Sequence, residues 1–253
     1  MLRSLLRPRW IGLTVFALVV AALCVWLGIW QLDRLHGRRE VNARYAAGLA
    51  EAPVALEDLL AAGTPLAYRR ATATGRYDTA HEVILYGRTL DGQPGNHVLT
   101  PLVLDDGRAV IVDRGWVPFE LDEPPIAEAA PPGGEVEVEG ILLADQPGGA
   151  GEAGPGQDRI TTVRSVDIGA IGRDVPYELE PWFLQLQHGS PSSGELPVPE
   201  PPPELTDGPH LNYALQWFAF ATIAVVGYGI LVRREMRDER RVSAGSSSRL
   251  EPG

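Results

Sequence analysis

The sequence predicts two transmembrane α-helices flanking a mainly β (α+β) extracytoplasmic domain of antiparallel strands. Three observations carry this. Residues 10–32 run without a charge, and so do residues 211–232. Between them lie short segments rich in β-branched and aromatic residues, separated by Gly-, Pro- and Asp-containing turns. At about 1.5 Å rise per residue either uncharged run reaches across a hydrocarbon core of roughly 30 Å.

Residues 1–9 (MLRSLLRPR) form a basic N-terminus. The span 10–32 follows, with Trp10, Trp26 and Trp30 toward its ends, where amphipathic rings prefer the interface. It is too long for a signal-peptide core and ends in WLGIWQLDRL without a small-residue cleavage site, so an uncleaved anchor is expected. Residues 33–50 read as a helix leaving the membrane, with Gly37 as its weak point. Residues 51–62 form a short helix stopped by Gly63.

The texture then changes to strands: RRATATGRYD, HEVILYGR, HVLTPLVL and RAVIVDRGWVP. DGQPGN and DDG separate the last three, and DDG predicts an antiparallel hairpin. Residues 120–134 are acidic and Pro-rich, a surface connection. In GEVEVEGILLAD, Val136 and Val138 alternate with glutamates, which gives one buried and one wet face. A Gly-rich loop at 146–157, a short helix after Ser165, a last strand PWFLQLQH and a Pro-rich segment at 190–209 complete the domain, 33–209. The second span, 211–232, leads into a tail at 233–253.

All 22 basic residues are arginine. Residues 31–209 hold 13 arginines against 29 acids, a balance that argues against nucleic acid as a partner. Arg3, Arg7 and Arg9 precede the first span, and Arg233, Arg234, Arg237, Arg240 and Arg241 follow the second. The positive-inside rule then puts both termini in the cytoplasm and the central domain outside, with Arg34, Arg38, Arg39 and Arg44 opposing. The single cysteine, Cys24, lies within the first span and has no disulfide partner.

Catalytic patterns are weak. No H-E-x-x-H pair or G-x-S-x-G elbow occurs, and a zinc site dispersed over His81, His97 and His188 has no spacing to support it. Asp113 and Arg114, at a strand end, read as a structural ion pair fixing the turn before Gly115 and Trp116. His210 stands at the mouth of the second span with Tyr213, Ala214 and Trp217 on its side. Imidazole can ligate haem iron, and an aromatic wall suits a haem ring. From spacing alone, a capping or interfacial histidine is the simpler reading. Asn212 and Gln216, four apart, are candidates for a hydrogen bond to the other helix. Ala17 and Ala21, with Ala221, Ala224 and Gly227, allow close helix contact.

Three motifs in order give a resemblance. LGIWQLDRLHGRR (27–39) is similar to a G-x-W-Q-x-x-R signature. GNHVLTPLVL and VIVDRGWVP are similar to V-x-T-P-L and N-R-G-W-V-P. HLNYALQWFAFA (210–221) is similar to H-x-x-Y-A-x-Q-W-F. Together these resemble the Surfeit locus protein family of haem–copper cytochrome c oxidase assembly factors. Asp113 departs from that pattern, standing where the family commonly has Asn. Residues 33–39 also lack the lysine usual after the first signature.

The resemblance implies a non-enzymatic biogenesis factor of the bacterial cell membrane, multi-pass, that assists haem a delivery to subunit I of an aa3-type oxidase and stabilises an assembly intermediate. It implies haem a as cofactor and His210 as iron ligand, with Tyr213, Gln216 and Trp217 beside it. Trp30, Gln31, Arg34, Arg114, Gly115 and Trp116 are the other matched positions, with the Arg114 region set to meet propionates or the subunit's outer face. The implied partners are subunit I and its assembly intermediates, haem a synthase and the lipid bilayer. The rivals are a membrane scaffold or chaperone that binds no haem, and an extracytoplasmic hydrolase.

Overall fold

The computed structural model describes residues 7–63, 66–149, 151–154, 158–187 and 195–247. Parts of both predicted terminal segments, of the loop 146–157 and of the segment 190–209, together with His188, lie outside the described residues. The chain divides into two compact units, Met1–Asn42 with Thr206–Gly253, and Ala43–Leu205.

The first unit is a helix pair. Helix α1 covers Pro8–Ala50 and continues through Gly37, its last turns belonging to the second unit. The final helix, His210–Ser247, is α4, after two short helices described below. Both are long and apolar enough to cross a membrane, and only 11% and 6% of their apolar windows are buried. A core helix of a soluble protein would bury most of such a window; Phe16, Leu18 and Ile223 are instead openly exposed, as lipid-facing side chains are.

The buried side follows a 3–4 spacing: Trp10, Thr14, Ala17, Ala21, Cys24, Gly28, Gln31 and Leu35 on α1, and His210, Ala214, Trp217, Ala221, Ala224 and Tyr228 on α4. That spacing makes a narrow seam for antiparallel packing. Gly28 permits the closest approach, because a side chain there would strike the Phe218 ring. Gly227, by contrast, faces open space. At one end Trp10 Nε1 and Arg9 donate to Glu235, and Thr14 bonds the Tyr228 hydroxyl.

The second unit is a small barrel. Its strands are β1 (Val54–Ala55), β2 (Arg70–Tyr77), β3 (Val83–Leu90), β4 (Gln93–Leu104), β5 (Ala109–Pro118), β6 (Glu135–Ala144), β7 (Glu152–Ala153), β8 (Ile160–Val163) and β9 (Leu179–Leu186). Helix α2 (Leu56–Ala62) ends at Gly63 in the left-handed conformation, as the sequence predicts. Helix α3 is Ile168–Ile171, capped by Asp167 rather than Ser165. The order is β1-β2-β6-β9-β5-β4-β3-β8-β7, and an additional β2–β4 pairing closes the ring. Most pairs are antiparallel, but β1–β2, β3–β8 and β5–β9 are parallel.

The DDG hairpin forms between β4 and β5, with Gly107 at φ 84°. In DGQPGN only Asp91 and Gly92 make the turn, both at positive φ, and Gln93 already starts β4. This is the two-residue turn whose twist matches the strands.

On β6 the alternation holds: Val136 and Val138 enter the barrel, while Glu135 and Glu137 are exposed. They meet Ala71, Leu102, Val110, Val112 and Leu184, and α2 adds Leu56 and Leu59. The other face of β3, β4, β5 and β9 is covered by α3 and Val163, which pack on Leu85, Leu99, Ile111 and Phe183. Strand β5 is therefore buried on both faces, which explains its unbroken apolar run. Segment 120–134 is not the expected surface connection. Ile126 and Ala129 are buried against Ile84, Val98 and Val117.

Gly115 interrupts β5 at φ 118°. A Cβ there would drive into the Val198 carbonyl, where Trp116 and Val198 exchange backbone bonds of 2.7 and 2.8 Å. Gly115→Ala is expected to cost about 2 kcal/mol or more in unfolding free energy. Gly133→Ala, in open space, should stay within about 0.5 kcal/mol of wild type. Thermal or denaturant unfolding in detergent checks both; equal effects would contradict the steric account.

Candidate functional site

Two polar constellations stand out, one in each unit. In the helix pair, His210 is the first residue of α4, preceded by Gly208 at φ 68°. Its Nδ1 lies 2.9 Å from Gln31 Oε1 across the seam. An amide oxygen can only accept, so Nδ1 is the donor in this bond, which leaves Nε2 for another partner. Among the described residues no hydrogen bond reaches Nε2.

Ala214 and Trp217 continue the seam below His210, with Ala214 buried and Trp217 half-buried. Tyr213 and Gln216 sit on the exposed flank, so Tyr213 does not share the buried side that its spacing suggested. Trp217 meets Phe220 edge-on at 5.9 Å. The hydrogen bond to the partner helix, expected of Asn212 or Gln216, is made by His210 instead.

On α1, Trp30 and Arg34 are exposed, and the Arg34 guanidinium lies 5.4 Å over the Trp30 ring. Arg34 forms no ion pair among the described residues. Arg39 is paired with Asp207 at 2.7 Å, which raises its own pKa and lowers that of Asp207, chiefly through the hydrogen bonds between them. Arg38 Nε and Asn42 Nδ2 donate to the Thr206 carbonyl.

In the barrel, Asp113 and Arg114 do not pair with each other. Successive side chains of a strand point to opposite faces. Arg114 is buried inside the barrel end, 3.4 Å from Glu82, donating to the Ala129 carbonyl and lying 5.3 Å over the Tyr77 ring. Glu82 also accepts from Thr100 Oγ1 and from the Ile126 amide. Burial pushes the Glu82 carboxyl up despite these partners, pulls Arg114 down and pushes Tyr77 up to about 12.

The expected contact between Arg114 and propionates is not available to this side chain, which is 3% exposed and bonded to Glu82 and the Ala129 carbonyl. Its place is architectural. Gly115 and Trp116 likewise serve the β5 bend and its bridge to Val198.

On the opposite face Asp113 meets His97 at 3.0 Å, and Glu200 approaches the same nitrogen at 3.9 Å. Reading the sequence missed this group because its members lie on β4, on β5 and beyond β9, and no local motif joins them. His81 is held separately by Asp78 at 2.7 Å and stands edge-on to Tyr177, so His81 and His97 each have their own carboxylate.

Comparison with known proteins adds a family. The family model described as SURF1 family matches residues 18–222. The chain is 31% identical over 256 residues to uncharacterized SURF1-like proteins of Mycobacterium bovis and Mycobacterium tuberculosis, covering 97% of this chain and 91% of theirs. It is 24% identical over 224 residues to a SURF1-like protein of Rickettsia felis, covering 87% of this chain and 96% of that one.

The barrel-end pair makes a pH-dependent prediction. Arg114→Met removes the cation that the buried Glu82 carboxylate pairs with and leaves only Arg159, which donates to the Glu82 carbonyl, at an expected cost of about 3 kcal/mol. A carboxyl whose folded pKa is raised keeps its proton where the unfolded chain has lost it. Its stabilising share is therefore full below the ordinary value of 4.5 and lost as pH rises through the raised value. The deficit of Arg114→Met should shrink as denaturation is measured from neutral pH down toward 4.5, and Glu82→Gln added to it should recover part of the loss. A deficit independent of pH would contradict the pairing.

Proposed function

The chain belongs to the SURF1 family, and we propose that it is a non-catalytic, membrane-anchored assembly factor for haem–copper cytochrome c oxidase that presents haem a to subunit I through His210. The observation that supports this is the His210–Gln31 hydrogen bond. A histidine that ligates a metal through one ring nitrogen almost always donates the other N–H to an acceptor, which sets the tautomer and the ring plane. Gln31 supplies that acceptor. The stretches 27–39 on one helix and 210–221 on the other meet at this bond.

The donor set fits a haem. His210 offers Nε2, Trp217 and Tyr213 offer ring surface at the membrane mouth, and Arg34 offers a guanidinium without a carboxylate partner among the described residues. Arginine suits propionates through charge-assisted, often bidentate bonds. Haem a, when bound, supplies the group to be handed on. The protein's part is to hold the imidazole in one orientation and to keep an aromatic, partly lipid-facing surface beside it. No bond in the porphyrin is made or broken by this chain.

The arginine count supports an orientation with both termini in the cytoplasm and the barrel outside.

Two expectations test the reading. Protein purified in mild detergent from cells that make haem a should carry its visible absorption bands, His210→Ala should lose them, and Gln31→Leu should hold haem about 10- to 100-fold more weakly. Haem-free wild-type protein that still co-purifies with tagged subunit I would replace the delivery reading with that of a scaffold. A reporter fused after the C-terminus should be active in the cytoplasm; activity on the outer side would overturn the orientation.

A further inference from the structure

On the outer face of the barrel, Ile111 on β5 pairs with Phe183 on β9, and two residues further along Asp113 pairs with Gln185. On β4, Leu99 lies opposite Asp113, and past a register shift His97 lies opposite Trp116. His97, Asp113 and Gln185 thus make a polar row beyond the apolar pair, with His97 Nδ1 3.0 Å from Asp113. Glu200, from the segment that bridges Trp116 through Val198, joins this row.

Asp113 is 3% exposed, and among the described residues no arginine pairs with it or with Glu200. A buried carboxylate without a cation is costly. Asp113 and Glu200 both face the one imidazole nitrogen of His97, at 3.0 and 3.9 Å.

We propose that His97 Nδ1, Asp113 Oδ2 and the Glu200 carboxylate bind one divalent transition-metal ion of the zinc type, separate from the His210 site. The candidate ligand atoms lie within 4.8 Å of one another, with Nδ1 3.0 Å from Asp113 and 3.9 Å from Glu200. A tetrahedral ion at about 2.0–2.2 Å from its ligands needs edges of roughly 3.4 Å. The adjustment therefore falls mainly on Glu200, whose half-exposed side chain is the least constrained of the three.

The carboxylates are already oriented by neighbours, as ligating carboxylates usually are. The Gly115 amide donates to Asp113 Oδ1 at 3.1 Å, and Gln185 Nε2 donates to Glu200 Oε2 at 2.6 Å. Gln185 and Glu200 also line a cleft of about 440 Å³, together with the buried Tyr45, whose hydroxyl has no hydrogen-bond partner among the described residues. Of the three candidate ligands Glu200 lines this cleft, so an ion would enter past its carboxylate. One nitrogen and two oxygens favour Zn²⁺, Co²⁺ or Fe²⁺ over Mg²⁺, and the lack of sulfur disfavours Cu⁺.

The test uses the full chain in detergent, stripped with EDTA and titrated with Co²⁺. The expected result is one equivalent bound with the visible absorption of a four-coordinate ion, and a rise in melting temperature with Zn²⁺. Asp113→Asn and Glu200→Gln should each weaken Co²⁺ binding by about 10-fold or more, while His210→Ala should bind like wild type. Should Asp113→Asn fail to fold, Glu200→Gln on the half-exposed segment decides alone. Wild-type protein without the absorption and without a zinc-dependent melting shift, or a Glu200→Gln variant that binds as tightly as wild type, would overturn the proposal.

Discussion

Two adjacent residues of β5, Asp113 and Arg114, are both buried and carry opposite charges, yet strand geometry forbids them a common face. Each must find its partner in a different layer, and much of the barrel follows from that. Inward, Arg114 requires Glu82, and Glu82 in turn requires the Thr100 hydroxyl and the Ile126 amide. That last bond, with the Ala129 carbonyl accepting from Arg114, draws an acidic, proline-rich connection into the core. Outward, Asp113 requires His97. The chain can leave this crowded point only by an unusual bend, which Gly115 supplies and Val198 closes. A buried ion pair is weak evidence for stability in itself. Here its consequence is positional, since it sets where three separate segments of the chain must lie.

The helix pair obeys a different constraint. Lipid offers no hydrophobic reward for burying one apolar helix against another, so contact depends on close packing and on hydrogen bonds. Gly28 supplies the close packing by accepting the Phe218 ring. The ends of the seam supply the hydrogen bonds, with Glu235 accepting from Arg9 and Trp10 at one end and Gln31 meeting His210 at the other. The exposed faces carry large apolar side chains, which is the expected surface of a span and a poor surface for water.

What could be read from the sequence was what local period and turn chemistry encode. The alternation in β6, the DDG hairpin and the Gly63 stop each depend on neighbours a few residues apart, and all appear in the fold. The parallel β5–β9 pairing and the closure of β2 on β4 are long-range, and no period announces them. Gly37 was read as a weak point for the helix, but α1 runs through it. The segment 120–134 looked like surface because its composition is polar, whereas its burial is dictated by what Arg114 and Glu82 need from it. At the candidate haem site His210 was legible by position and by resemblance. Its partner was not, because Gln31 lies 179 residues away and only the helix seam brings the two together.

That partner changes the physical status of His210. A histidine at a helix start that capped its own backbone would be a local feature, indifferent to the other helix. A histidine whose Nδ1 donates to an amide oxygen across the seam has its ring plane held by that bond, and its Nε2 points in a set direction. Orientation is what a transient carrier needs more than affinity. A carrier that bound its cargo as tightly as the final pocket would not release it, so binding strength must be limited while geometry is kept. One imidazole with a neutral amide behind it meets that requirement better than an imidazole backed by a carboxylate, because an anionic acceptor would make the ring a stronger ligand. Gln rather than Asp or Glu at position 31 therefore suits the proposed role of a site that would hold its ligand in one orientation and give it up.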